Sequence, residues 1–439
     1  MNVLKSLQFF TISACFLQAA SCSQKQGDAA KYPFSANIVD INSSIFPELP
    51  ATFEMGVRQF KYLKNLNSLD GDYLTITKGG ALTISEINGS LIQADQFEGT
   101  ENPALRYTVS NNIVAPKDYN TLMMLSAYYQ YERIFDVLKT ISNISIEEFT
   151  QKSGKLKVIY EPSLIVKQSG STITVNQKHN AAYISGQKQF ALFRRSAIEK
   201  VPMGANLQVL GHEFGHALFE QTFFKNTFTK CIVQNSITQN SSPDVRFFPG
   251  RLEAEYSIHG INEGFADFLS YSITGNADIL RASIDYKDAA DQRNFVNSTF
   301  KFDQIKNSDS EISGECTGQF YCIGTLFAKS LYETMTKTGN AGKDVESRGQ
   351  FSSMVVSALT GVQDSIKKQS VDVYPMPSVN IAFCKLEKLD KLYDGKVAGA
   401  FLAAFVENMP QSVKPTLCER FSENFGLFGF PLAARSVCL

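Results

Sequence analysis

His212-Glu213-Phe214-Gly215-His216 sets two imidazoles four residues apart, with a carboxylate beside the first. On a helix, positions i and i+4 share one face, so both rings can reach a single metal ion. Glu213 then lies beside the open coordination position, where it can take a proton from water. The chain has only 4 histidines, and a chance match to this spacing is roughly a one-in-several-hundred event. Residues 205–211 are largely apolar with good helix formers, and residues 217–220 continue the pattern without proline. The stretch therefore reads as a helix. Gly211 and Gly215 lower its propensity but permit close approach by another element.

A catalytic zinc ion usually takes three protein ligands and one water. Downstream candidates for the third are Glu220, Asp244, Glu253, Glu255, His259, Glu263 and Asp267. The run Asn262-Glu263-Gly264-Phe265-Ala266-Asp267 decides among them. Glu263 and Asp267 are four apart and share a helical face. Glu263 can bind the metal, and Asp267 can accept the second ring N–H of a ligating histidine, His212 first, fixing its tautomer. Two acids in the first turns of a helix also suit its dipole.

His-Glu-x-x-His followed by Asn-Glu-x-x-x-Asp resembles the gluzincin metallopeptidases, and within them the thermolysin-like group. Residues 126–131 (Ser-Ala-Tyr-Tyr-Gln-Tyr) resemble that group's early catalytic helix, and Asn180-Ala181-Ala182-Tyr183 its edge strand. The resemblance covers roughly residues 119–275. It implies that His212, His216 and Glu263 are zinc ligands, that Glu213 is the general base, and that Asp267 supports His212. It further implies that Asn180 and Ala181 pair with the backbone of a peptide substrate.

Two departures stand out. The segment from His216 to Glu263 is long for the group and contains Cys231; insertions of this kind are tolerated in surface loops. The group also uses a C-terminal histidine to stabilise the oxyanion, and no histidine follows His259 here. Tyr256, His259 and Tyr321 are the candidate replacements, a phenol being able to donate to developing negative charge. A tyrosine packed in the core and a histidine in a loop before the helix are the alternatives for Tyr321 and His259. His179 reads as a surface residue beside the edge strand.

The 439 residues are 44% apolar, enough for a large core and two or three domains. Lys plus Arg number 42 against 43 Asp plus Glu, with no basic tract, so no nucleic acid partner is expected. Residues 1–21 read as a signal peptide, too short to remain as a membrane span. Ala19-Ala20-Ser21-Cys22 resembles a bacterial lipobox. The expected product is an exported cell-envelope lipoprotein anchored at Cys22, with ordinary secretion as the alternative, and residues 22–30 as a tether. Six cysteines follow Cys22: Cys231, Cys316, Cys322, Cys384, Cys418 and Cys438. An even number in an exported chain suits three disulfides, with fifteen connectivities open. Cys316–Cys322 would close a local loop, and the C-terminal three would staple the last helices.

Residues 31–118 read as an N-terminal accessory or pro-like region, or as an extension of the catalytic lobe. Phe53, Val57, Phe60 and Leu63 have helical spacing, and strands are expected at 73–77, 81–87 and 91–97, the last two joined by the Asn88-Gly89 turn. Residues 119–310 form the expected catalytic lobe: a helix at 119–142, strands at 156–160, 172–175, 181–185 and 189–193, then the two metal helices. Residues 311–439 read as a helical lobe, with helices at 325–338, 345–359, 381–392 and 397–406. The fold class is α+β, a zincin-like lobe with a mixed sheet followed by a mainly helical lobe, leaving a cleft between them. The function expected is a zinc metalloendopeptidase of unknown oligomeric state. Rival readings are a catalytically degenerate binding lipoprotein and a zinc hydrolase of a non-peptide bond.

Overall fold

A computed structural model describes residues 32–42, 52–87, 90–98, 102–168, 171–175, 180–184, 188–195, 201–223, 249–279, 283, 293–305, 319–342, 344–369, 397–430 and 434–438. Cys22, His179, Cys231, Cys316, Cys384, Asn88-Gly89 and the helix expected at 381–392 lie outside them. Strands come first: β1 Ser35–Asn42, β2 Thr52–Gln59, β3 Leu63–Asn65, β4 Asp70–Gly71, β5 Leu74–Lys78, β6 Ala81–Ile87, β7 Ser90–Glu98, β8 Tyr107–Ser110 and β9 Ile113–Pro116. Helices α1 Tyr119–Ser142 and α2 Ile146–Ser153 precede β10 Leu156–Tyr160, β11 Ser163–Gln168, β12 Ser171–Val175, β13 Ala181–Ile184 and β14 Gln189–Leu192. Among the described residues, the α-helices that follow are α3 Leu207–Thr222, α4 Pro249–Thr274, α5 Gln319–Lys337, α6 Val345–Gln369, α7 Val397–Glu407 and α8 Lys414–Gly429. Among the described residues, no helix is long and apolar enough to cross a membrane.

The strands make three sheets, ordered β2-β1-β9-β8, β13-β14-β10-β5-β4-β3 and β12-β11-β6-β7. The six-stranded sheet is mixed. β5, β10 and β14 run parallel, and β13 closes one edge antiparallel to β14. Parallel strands at a sheet centre need apolar cover on both faces; Leu156, Val158, Ile159 and Tyr160 of β10 are all buried. Leu74 of β5 pairs with Leu156, and Ala81 of β6 with Ser163. Two of the three sheets thus cross the boundary drawn at residue 118.

The helix expected around Phe53, Val57 and Phe60 is a strand. Phe53, Met55 and Val57 alternate as well as they repeat at three and four, and Gly56 disfavours a helix. An eight-residue antiparallel register with β1 settles the ambiguity. β11 went unread, because Leu164-Ile165-Val166 is a short apolar run without alternation. Helix α8 was also unread; Pro415 in its first turn is a helix-start signal.

Helix α1 packs on β1, β5 and β9, its start capped by the Asp118 carboxylate accepting from Thr121 N–H at 2.7 Å. Glu132 on α1 is buried and accepts from the N–H groups of Lys61, Tyr62 and Leu63 at 2.9, 2.7 and 3.1 Å. One carboxylate thus satisfies the backbone where the chain turns into β3. Helices α3 and α4 pack against each other, as do α4 and α5. A Cβ at Gly215 would lie 2.6 Å from Ala266 Cα, and one at Gly264 would lie 2.2 Å from the Gly324 carbonyl oxygen. No side chain fits at either crossing, which sets the helix spacing. One buried core runs from Phe34 and Ile38 through Tyr128, Phe214 and Phe265 to Phe405 and Phe425. Cys418 bonds Cys438 across 20 residues, and Cys322 is disulfide-bonded as well.

Candidate metal centre

Helix α3 begins at Asn206, whose side chain accepts from Gln208 N–H at 2.9 Å while its amide donates to Ser283 Oγ at 2.8 Å. That cap fixes where the first turn starts, and hence the face on which His212 and His216 fall. Both rings turn toward α4, which supplies Asn262, Glu263 and Asp267. Ser270 Oγ donates to the Gln208 carbonyl at 2.7 Å, pinning the two helices beyond the site.

One ligand atom each from His212, His216 and Glu263 lies within 4.8 Å of the others, and these three form a group that could hold a metal ion. The two Nε2 atoms are 3.0 Å apart. Glu263 Oε2 is 3.4 Å from His212 Nε2, and Oε1 is 3.6 Å from His216 Nε2. Each outer ring nitrogen has a partner. Asp267 Oδ1 is 2.8 Å from His212 Nδ1, and Asn262 Oδ1 is 3.0 Å from His216 Nδ1. If each Nδ1 carries the proton it donates outward, and both Nε2 lone pairs face inward, as ligation requires. Glu263 and Asp267 sit well along α4 rather than in its first turns, so the helix dipole expected to favour them does not act there.

Glu213 is 8% exposed, and its Oε2 accepts from Tyr183 N–H on β13 at 2.7 Å. Burial pushes its carboxyl up to about 7. Burial would lower the His212 imidazolium, but Asp267 and Glu263 outweigh it and raise the group to about 9. His216 falls to about 4, chiefly through burial. Burial would raise Glu263, yet His216, Arg293 and His212 hold it well below the usual carboxylate range.

Arg293 was not foreseen. Its guanidinium donates to Asp267 Oδ1 at 2.6 Å and to Glu263 Oε2 at 2.9 Å. It stands 3.5 Å from both His212 ring nitrogens and stacks on the Tyr321 ring at 4.9 Å. No motif surrounds it in the sequence. The one signal was indirect: so many acids gathered about one metal call for a fixed cation. Asn262 was read as part of its motif but given no role.

Tyr321 is half-buried at the site, its hydroxyl pushed up to about 12 by burial and then by Glu263. His259 lies on the α4 backbone, not in a loop before it; nothing is described of its side chain or of that of Tyr256. Immediately before β13, the Asn180 carbonyl accepts from Phe193 N–H at 3.0 Å. Antiparallel strands alternate their bonding groups. Asn180 therefore turns its carbonyl toward the β14 side, and by the same alternation the backbone of Ala181 faces the open edge.

The donor set fits zinc: two imidazole nitrogens and a carboxylate oxygen, with outer partners that orient them. With neutral imidazoles, Glu263 and Asp267 against Arg293 leave one negative charge, and Glu213 adds a second when it is ionised, a total that a divalent ion would balance. No known family matches this chain, and no curated protein is significantly similar to it.

Proposed function

We propose that the chain is a zinc-dependent endopeptidase of the gluzincin kind. One observation carries the reading: His212, His216 and Glu263 converge beside a buried carboxylate that belongs to none of the three ligands. Zinc, when bound, supplies Lewis-acid chemistry, making a water acidic and polarising the carbonyl to be attacked. Everything else falls to the protein. Glu213 holds the transferred proton; its Oε2 is tethered to Tyr183 N–H, so Oε1 is the oxygen left to carry it. A carboxyl near 7 can accept a proton from water and return it to a leaving amine at neutral pH. Asp267 and Asn262 hold the two imidazoles in orientation. Ala181 offers its outward N–H and C=O to an extended peptide, and the Tyr321 hydroxyl is the proposed donor to the developing oxyanion. No covalent intermediate forms.

The absence of any histidine after His259 favours a second reading, a binding protein on a peptidase-like scaffold. Zinc content and cleavage of a quenched peptide library, measured for wild type and Glu213→Gln, separate the two. Zinc in both with cleavage only in wild type is the expected result. Zinc without cleavage in wild type supports the binding protein, and no zinc in either overturns the metal centre. A cell-envelope lipoprotein anchored at Cys22 remains part of the proposal; an acyl mass on the mature N-terminal fragment is expected, and an unmodified one sinks it.

A further inference from the structure

We infer that Arg293 is the resident cation of the metal-free centre, holding Glu263 and Asp267 together before an ion arrives and opposing the ion's charge afterwards. The inference rests on the zinc reading above. Its basis is that one oxygen has two claimants. Glu263 Oε2 accepts from Arg293 at 2.9 Å and is also the Glu263 oxygen near His212 Nε2, at 3.4 Å. An ion held between the imidazoles and Glu263 draws on electron density that the guanidinium already uses. The same guanidinium reaches Asp267 Oδ1 at 2.6 Å, the atom that faces His212 Nδ1 at 2.8 Å. Asp267 is buried and Glu263 half-buried, with side-chain exposures of 2% and 18%. Without a metal and without Arg293, each would lose its permanently charged partner, a costly state for carboxylates shielded from water.

The arginine is placed to act this way. It belongs to the segment 293–305, outside the two ligand-bearing helices, and rests on the Tyr321 ring at 4.9 Å. Its Nη2 reaches both carboxylates and its Nε adds a 3.4 Å contact to Asp267 Oδ2, a two-nitrogen grip that lysine's single ammonium does not reproduce.

Zinc affinity against a chromophoric chelator, and melting temperature with and without zinc, test this in wild type, Arg293→Gln and Arg293→Lys. Arg293→Gln is expected to melt lower than wild type without zinc, to recover most of the difference with zinc, and to bind zinc on the order of ten-fold more tightly. Arg293→Lys is expected to fall between. If Arg293→Gln folds only with zinc, the counter-ion role is supported. If it does not fold at all, Arg293→Lys decides: tighter zinc than wild type supports the inference, and equal or weaker zinc overturns it. Should Arg293→Gln bind zinc no more tightly than wild type, the guanidinium merely orients its neighbours and the inference fails while the metal centre stands. Zinc uptake by neither wild type nor the variants overturns the metal centre itself.

Discussion

Glu132 and Glu213 are two buried carboxyls whose ordinary value of 4.5 is raised to about 7, chiefly by burial. For Glu132 the three backbone donors at the start of β3 only partly offset that burial. A folded-state value above the unfolded one means that the folded protein binds more protons between the two. Its stabilising contribution is therefore complete below about 4.5 and is lost as pH rises through about 7. Melting temperatures of the metal-free protein should fall from pH 5 to pH 8. Glu132→Gln should flatten that slope by roughly 2–3 kcal/mol of pH-dependent stability, while lowering stability at every pH through the lost acceptor. An unchanged slope in the variant would remove Glu132 from the account. The candidate metal group was legible in the sequence because four-residue spacing on one helix is a local property, in His212 and His216 on α3 and again in Glu263 and Asp267 on α4. Glu132 and Arg293 were not, since each finds its partners at sequence distances that no periodicity encodes.

Elements meet here through missing side chains. A Cβ at Gly324 would stand 2.7 Å from the Gly260 carbonyl oxygen, 2.9 Å from Gly264 N and 3.0 Å from Glu263 Cβ. Backbone atoms cannot swing aside, so Gly324→Ala must push α5 away from α4, at a cost of about 1–3 kcal/mol. Glu263 lies at the crossing, so zinc affinity should weaken along with stability. Calorimetric melting and chelator competition check both, and a variant that loses stability with zinc affinity intact would uncouple the crossing from the ligand. Gly215 does the same for α3 and α4. The sequence announced this at Gly211 and Gly215, where glycines sit beside the motif. It did not do so at Gly264 and Gly324, which become partners only once α4 and α5 are packed. Strand β2 shows the converse: its apolar residues fit both periods, and only pairing with β1 selects one.

Among the described residues, one large core joins the first two sheets to the C-terminal helices, while Leu82 of the third sheet packs with Ile159 and Ala191 in a smaller cluster; two sheets draw strands from both sides of residue 118. The α+β character and mixed sheet were readable because strand and helix periods separate cleanly along much of the chain. The sharing of sheets was not, because parallel partners such as β5 and β10 lie some eighty residues apart. The Cys418–Cys438 bond closes the C-terminal end with a 20-residue separation. Restricting a loop of that size in the unfolded chain contributes about 3 kcal/mol. Cys418→Ser is expected to lower the melting temperature under oxidising conditions and to erase part of the effect of reductant. Equal melting of variant and wild type would make the bond dispensable.

The hydrogen bond from Tyr183 N–H to Glu213 has a bearing beyond acid–base work. β13 is an edge strand, and an outward N–H on such an edge invites any passing chain to add itself. Here the carboxylate stands where that next strand's carbonyl would be, so the group proposed as the base also closes the edge at Tyr183 and leaves Ala181 as the position open to a peptide. Replacing Glu213 with alanine would open that edge as well as remove the proposed base, and self-association would then be confused with any loss of activity. Glutamine keeps an oxygen facing Tyr183, which makes it the cleaner substitution for asking what the carboxylate does.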